Sequence, residues 1–176
     1  MKLKKNFFNE DPSIVAKNLL GKTLVRVMDG KELRAKIVET EAYYDKNDPA
    51  SRARQNGDLK DTMEMDAGTI LVYGVHNSWL INFVTGKKGD AAAVLLRALE
   101  PENFDVNTKG PGLLTKALNI KKEFHKLNIL NSELIWVEDS KKNKFEIVES
   151  FRIGVHEDLP EKLRFYIKDC SWISKK

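Results

Sequence analysis

Leu24-Val25-Arg26-Val27-Met28-Asp29-Gly30-Lys31-Glu32-Leu33-Arg34-Ala35-Lys36-Ile37-Val38-Glu39-Thr40-Glu41-Ala42-Tyr43 is the stretch that decides the fold class. Residues 24–28 read as a strand. Asp29-Gly30 is a hairpin signal, because a tight two-residue hairpin turn needs positive φ at its central positions. The return strand is expected over residues 33–39. Working outward, further strands are predicted at residues 70–73, 79–84, 94–96, 134–137, 151–155 and 163–167. Asp11 followed by Pro12 predicts an N-cap with proline at the first helical position, and Gly21 is placed to end that helix. Gly110-Pro111-Gly112 is a breaker, and residues 113–120 after it have helical spacing. Residues 140–144, with three lysines, read as an exposed hairpin loop. Strands outnumber helices and short turns join them, which predicts an α+β fold around a largely antiparallel sheet. A chain of 176 residues suits one domain, 1–176.

Composition removes several classes of function. No apolar run is long enough to span a bilayer, so no membrane is expected as a partner. Acidic residues follow the basic N-terminal stretch at once, and no signal peptide is expected. Cys170 is the only cysteine, which excludes an internal disulfide and fits a reducing compartment. Its bland reading is a small buried side chain. The three histidines, His76, His125 and His156, lie far apart with no Cys or His at ligand spacing, so no metal site is expected. Lys87 and Lys88, between Gly86 and Gly89, do not make a phosphate loop. The formal net charge is +4 and the pI about 9.0, as suits a protein that touches phosphates. The basic residues are spread along the chain, so charge alone does not define a binding face.

Strand alternation places Leu33, Ala35 and Ile37 on one face, with Glu39 and Glu41 extending it. Two readings stand. A carboxylate at the end of an apolar face can be desolvated and serve as a general base. Alternatively, the strand simply runs out into solvent, and spacing alone favours that reading. Tyr43 reads as a core-edge aromatic, and Arg97 as a buried partner of Glu100 or Glu41.

The string Ile37-Val38-Glu39-Thr40-Glu41-Ala42-Tyr43, followed by Asp48-Pro49-Ala50-Ser51, resembles the signature of the alkyladenine (3-methyladenine) DNA glycosylases. Further pieces match in the same order: Gly68-Thr69, Val72-Tyr73, Asn82, Val94-Leu95-Leu96-Arg97-Ala98-Leu99-Glu100-Pro101, Gly110-Pro111-Gly112, Arg152-Ile153-Gly154-Val155, Leu163-Arg164-Phe165-Tyr166 and Ser171-Trp172-Ile173-Ser174. Each is ordinary alone; together they cover the chain from Lys17 onward.

The resemblance implies a curved sheet with flanking helices and a protruding β-hairpin that inserts into DNA, an architecture similar to a carboxy-terminal domain of tRNA formyltransferases. It implies a monofunctional purine DNA glycosylase that flips out a damaged purine and hydrolyses its N-glycosidic bond, leaving an abasic site, with no cofactor. The implied partner is double-stranded DNA, and the protein would act as a monomer. The expected setting is cytoplasmic, on the nucleoid of a prokaryote, or nuclear in a eukaryote. Glu41 matches the general base, Arg97 the arginine that helps hold the attacking water, Tyr43 an aromatic that stacks on the extruded base, and Asn82 a residue that disfavours guanine.

Three departures accompany the match. Arg52 stands where the family usually has histidine in the base pocket. The family's Arg-Asn pair is replaced around Leu59-Lys60 and Met63-Glu64. The spacing between Gly68 and Asn82 is one residue short: counting positions makes His76 the residue that wedges into DNA and Tyr73 a pocket residue, whereas matching the Tyr-Gly-x-His string makes Tyr73 the wedge. The competing reading of the whole chain is a non-catalytic DNA- or RNA-binding module of the same fold.

Overall fold

In a computed structural model that describes residues 1–140 and 144–175, eight antiparallel strands form a curled sheet with short helices on both faces. Helix α1 is Lys5–Phe8 and α2 is Pro12–Leu19. The Asp11 side chain accepts the Ser13 N–H at 2.8 Å, and Pro12 occupies the first turn, where its missing N–H costs nothing. Strands β1 (Thr23–Met28) and β2 (Lys31–Tyr43) make the expected hairpin, with Asp29 and Gly30 both at positive φ. After β2 come a 3₁₀ turn (Arg52–Arg54), α3 (Asp58–Met63), β3 (Ile70–Val75), β4 (Ser78–Thr85) and β5 (Ala92–Pro101). Helix α4 (Pro111–Ala117), a 3₁₀ turn (Lys122–Phe124), β6 (Ile135–Glu138), β7 (Ile147–Ser150) and β8 (Arg164–Ile167) complete the chain. Among the described residues no helix is long and apolar enough to cross a membrane.

The sheet runs β3-β4-β5-β2-β1-β6, with β8 pairing both β2 and β7. Strand β2 is the axis. Strand β5 covers one of its edges, while β1 pairs residues 31–36 and β8 pairs residues 39–41 on the other. The larger core packs α1, α2 and α4 on one face, with Phe8, Leu19, Ile37, Phe83 and Phe165 all fully or almost fully buried. Burying such a side chain contributes roughly 1.5–3 kcal/mol. A smaller core on the other face joins Leu71, Val84 and Ala93 to Ala53 and Met63, which come from the first 3₁₀ turn and α3. His125 pins this cover in place: its Nδ1 accepts the Val72 N–H (3.1 Å), so its Nε2 carries the proton and donates to Asp58 (2.8 Å).

One predicted strand is absent. Residues 151–155 are irregular, because their N–H groups serve side chains: Arg152 N donates to Asp158 and Ile153 N to Glu41. The strand β7 lies just before them. The loop expected at residues 140–144 falls mainly on 141–143, outside the described residues.

Helix α4 approaches β4 where only glycine fits. A Cβ on Gly112 would lie 2.7 Å from both Cβ and Oγ of Ser78. Gly112→Ala is therefore expected to lower stability by about 1–3 kcal/mol in urea denaturation. Combined with Ser78→Gly, the loss should be smaller than the two single losses added together. Simple additivity would show that the contact is not the cause.

Candidate active site

The alternation expected along β2 does not hold. Ile37 lies opposite Leu99 and Glu39 opposite Ala98, so Val38 is an extra residue, and Thr40 lies opposite Leu96, so Arg97 is the extra residue on β5. A bulge reverses which parity faces which side. Ala35 and Ile37 face the large core, and beyond the bulge Thr40 and Ala42 take over that face, with Thr40 Oγ1 donating to the Ala16 carbonyl at 2.9 Å. Glu39, Glu41 and Tyr43 turn to the opposite face, away from Ala35 and Ile37. Neither carboxylate runs out into solvent: both are fully buried.

Glu41 sits in a row of paired residues crossing the sheet: Leu71, Asn82, Leu95, Glu41 and Arg164. Its Oε1 accepts the Ile153 N–H at 2.8 Å and lies 3.3 Å from Arg97 Nη1; its Oε2 accepts the Tyr43 hydroxyl at 2.7 Å. Burial raises the affinity of Glu41 for a proton above that of an ordinary carboxylate, and the negative charge of Glu39 adds to the effect; Arg97, Ile153 and Tyr43 only partly oppose it. Burial, and then Glu41 itself, push the Tyr43 hydroxyl well above its usual range, so it stays a donor.

Arg97 reaches both carboxylates. Its Nε is 3.3 Å from Glu39 and its Nη2 3.4 Å from Ser174 Oγ. Glu39 also accepts from Arg164 Nε (2.7 Å), the Ser174 N–H (2.5 Å) and Ser174 Oγ (2.8 Å). The ring of Tyr43 lies on the guanidinium of Arg152, 4.5 Å from the ring centroid. That arginine is locked by a bidentate pair to Asp48 (2.7 and 2.7 Å), a second carboxylate at Asp158, and the Ala42 carbonyl.

A cavity of about 600 Å³ opens above this floor, with Tyr43, Arg52, Tyr73, Leu95, Arg97 and His76 among its walls. Arg52 lies at its mouth with its guanidinium 4.9 Å from the Tyr73 ring centroid. His76 and Asn77 form the tip of the β3–β4 hairpin, both exposed and at positive φ, while Tyr73 lies three residues back, in the cavity wall. Glu41 and Asn82 stand behind the wall rather than on it; the Asn82 amide donates to the Leu71 carbonyl at 3.2 Å and its side chain reaches Tyr73. The structure thus gathers Glu41, Tyr43, Arg52, Tyr73, His76, Asn82 and Arg97 around one opening. Sequence reasoning considered Glu39 only alongside Glu41 as a desolvated carboxylate, and gave no role to Asp48, Arg152, Arg164 or Ser174. Their signal was membership of the matched strings and, for the charged ones, a place among apolar neighbours. Among the described residues, no group of three or more His, Cys, Asp or Glu side chains is placed to hold a metal ion.

Comparison with known proteins gives a consistent result. The pattern of a family described as Methylpurine-DNA glycosylase (MPG) matches residues 6–171. The chain is 40% identical to a protein of Aeropyrum pernix over 98% of this chain and 93% of the relative. It is 38% identical to one of Clostridium tetani over the full length of both. It is 41% identical to one of Legionella pneumophila over 99% of this chain and 98% of the relative. All three carry the name "Putative 3-methyladenine DNA glycosylase".

The Asp48–Arg152 pair generates a stability prediction. Burial, the largest single influence, would raise the Asp48 carboxyl, but the hydrogen bonds and charge of Arg152 together with the N–H groups of Tyr44 and Ala50 outweigh it and hold the carboxyl below its usual range. A carboxyl depressed in the folded state stabilises above the ordinary carboxylate range, and that contribution is lost as pH falls through the folded value. Asp48→Asn leaves a buried guanidinium with Asp158 alone, and should cost about 3 kcal/mol at neutral pH. In urea denaturation the gap between parent and variant should narrow in strong acid. A gap that is small at neutral pH would show the pair to be dispensable.

Proposed function

As the chain belongs to the methylpurine-DNA glycosylase family, whose work is base-excision repair, we propose that it binds duplex DNA as a monomer, extrudes a damaged purine into the cavity and hydrolyses the N-glycosidic bond from Glu41. The observation that carries this reading is a fully buried Glu41 with raised proton affinity behind a cavity walled by Tyr43 and Arg97. A base inside a duplex is out of reach of any side chain, so it must leave the stack at a cost of a few kcal/mol, and stacking on Tyr43 returns roughly 1–3 kcal/mol of that. His76, at the hairpin tip, is assigned to fill the gap left in the duplex, a reading supported by the position of Tyr73 in the cavity wall.

In the proposed step, Glu41 takes a proton from a water held with the help of Arg97. The water oxygen bonds to C1′ as the C1′–N bond breaks, and that electron pair leaves with the purine. Among the described residues no lysine lines the cavity, which supports hydrolysis to an abasic site without a Schiff base or strand cleavage. Asn82, behind Tyr73, is assigned the discrimination against guanine. A binding module would gain nothing from burying Glu41, because a desolvated carboxylate costs stability. For that reason the non-catalytic alternative ranks second.

A panel of duplexes, each carrying one lesion, tests the reading by base release. Glu41→Gln keeps size and hydrogen-bonding capacity while removing the base. It should slow single-turnover excision by about 10²–10⁴-fold with duplex binding retained. Excision within a few-fold of the parent would overturn the role of Glu41.

Arg52 sets the expected lesion preference. Its guanidinium lies against the Tyr73 ring, and its charge is permanent. Once an extruded base fills the mouth and displaces water from beside it, Arg52 repels a cationic base and spares a neutral one. Hypoxanthine or an etheno-adduct should be favoured over 7-methylguanine. Arg52→His should move the ratio of the two excision rates toward 7-methylguanine by about tenfold, which is ~1.4 kcal/mol. An unchanged ratio would show that Arg52 does not read the charge on the base.

A further inference from the structure

The two buried arginines beside the cavity hold carboxylates in contrasting ways. Arg152 grips Asp48 through two parallel bonds of 2.7 Å, and the Asp48 carboxyl falls below its usual range. Arg97 is spread over three partners, all distant: Glu39 and Glu41 at 3.3 Å and Ser174 Oγ at 3.4 Å. Glu41 stays above its usual range. In both places a guanidinium faces a buried carboxylate, with opposite outcomes; the arrangement of the guanidinium is one difference, beside the Tyr44 and Ala50 N–H groups that Asp48 also accepts and the stronger desolvation and nearby Glu39 charge at Glu41. A fork–fork pair between Arg97 and Glu41 would do to Glu41 what Arg152 does to Asp48, and would occupy the oxygens a water must use.

Glu39 stands in the position to prevent that pairing. It is fully buried and takes the Nε edge of Arg97, leaving a single Nη for Glu41. Its own charge is met chiefly by short bonds from elsewhere: Arg164 on β8, and the N–H and hydroxyl of Ser174 in the C-terminal segment, 135 residues away in sequence. We infer that Glu39 is a positioning residue for excision: anchored by Arg164 and Ser174, it holds Arg97 turned away from a two-bond grip on Glu41 and keeps Glu41 available to a water. This inference rests on Glu41 being the base.

The groups facing Glu41 are Glu39 and Tyr43 on its own strand, Arg97 on β5, Tyr73 on β3, Arg164 opposite it on β8, and the Ile153 N–H. Glu39 and Arg164 carry opposite charges, so neutralising each should have opposite consequences. Glu39→Gln removes a like charge and releases Arg97 to Glu41, so Glu41 should lose its proton at lower pH. Arg164→Gln removes a positive charge and draws Arg97 toward Glu39, so Glu41 should lose its proton at higher pH.

The experiment is the pH profile of single-turnover excision with a cationic alkylpurine in duplex DNA, chosen because the leaving group needs no proton. The acid limb then reports the base. Relative to the parent, the limb should move down by about one pH unit in Glu39→Gln, move up by a similar amount in Arg164→Gln, and return to the parent position in Arg164→Lys. Glu39→Gln should also lower the plateau rate, because its base is weaker. A residue needed only for folding would change the melting temperature without moving the limb, and limbs that stay put or move in one direction overturn the inference. Where Glu39→Gln does not fold, the Arg164→Gln and Arg164→Lys pair decides by the same criterion. Failure of the parent to excise any lesion of the panel would instead overturn the glycosylase reading, and full activity in Glu41→Gln the assignment of Glu41.

Discussion

A strand buried on both faces has no solvent side on which to put a charge, and β2 is such a strand from Ile37 to Ala42. Its one extra residue at Val38, answered by Arg97 as the extra residue on β5, is the constraint on which the site depends. Without that pair of bulges, Glu39 and Glu41 would continue the face of Ala35 and Ile37 and meet Leu19 and Phe83 in the large core. With them, the carboxylates reach the opposite face, where arginines and the cavity lie. The same device makes Arg97, the second bulged residue, the neighbour of both carboxylates. Bulges often serve to re-aim a side chain at a site, and this one re-aims three.

The charges gathered there are costly. Glu39, Glu41, Asp48, Arg97, Arg152 and Arg164 are all buried or nearly so. A buried ion pair often returns less than its desolvation costs, so such a cluster is poor evidence of stabilisation. Its value lies in fixing geometry. Arg152 both anchors the loop from residue 151 to Asp158 and supplies a rigid backing for the Tyr43 ring. That loop in turn gives its Ile153 N–H to Glu41. Tyr43 presents one ring face to Arg152 and its hydroxyl to Glu41, so in the proposed reaction one side chain would join recognition to chemistry.

The cover over the second face follows a similar logic. The 3₁₀ turn that carries Arg52 and the helix α3 after it contribute Ala53, Met63 and the partly buried Leu59 to a small core, and the His125 bridge between Val72 and Asp58 ties them to β3. A wall built on so little apolar surface is held by polar bonds at its edge, so the placement of Arg52 against Tyr73 is set by the sheet below it.

The local features were legible in the chain itself. Asp29-Gly30 supplies positive φ, Pro12 pre-sets a first helical turn, and apolar runs at residues 70–73, 79–84 and 163–167 mark strands, because these signals act over a few residues. Ordered matches to a known family also brought out Glu41, Tyr43, Asn82 and Arg97 together. Tertiary structure alone decided which face Glu41 occupies, since one bulge reverses the parity that a strand pattern assumes. It also decided that residues 151–155 leave the sheet, because their N–H groups have side-chain acceptors. Arg152 finds Asp48 104 residues away, and Glu39 finds Arg164 125 residues away. Charge pairing at that separation is a property of the folded chain, and no periodicity in the sequence records it.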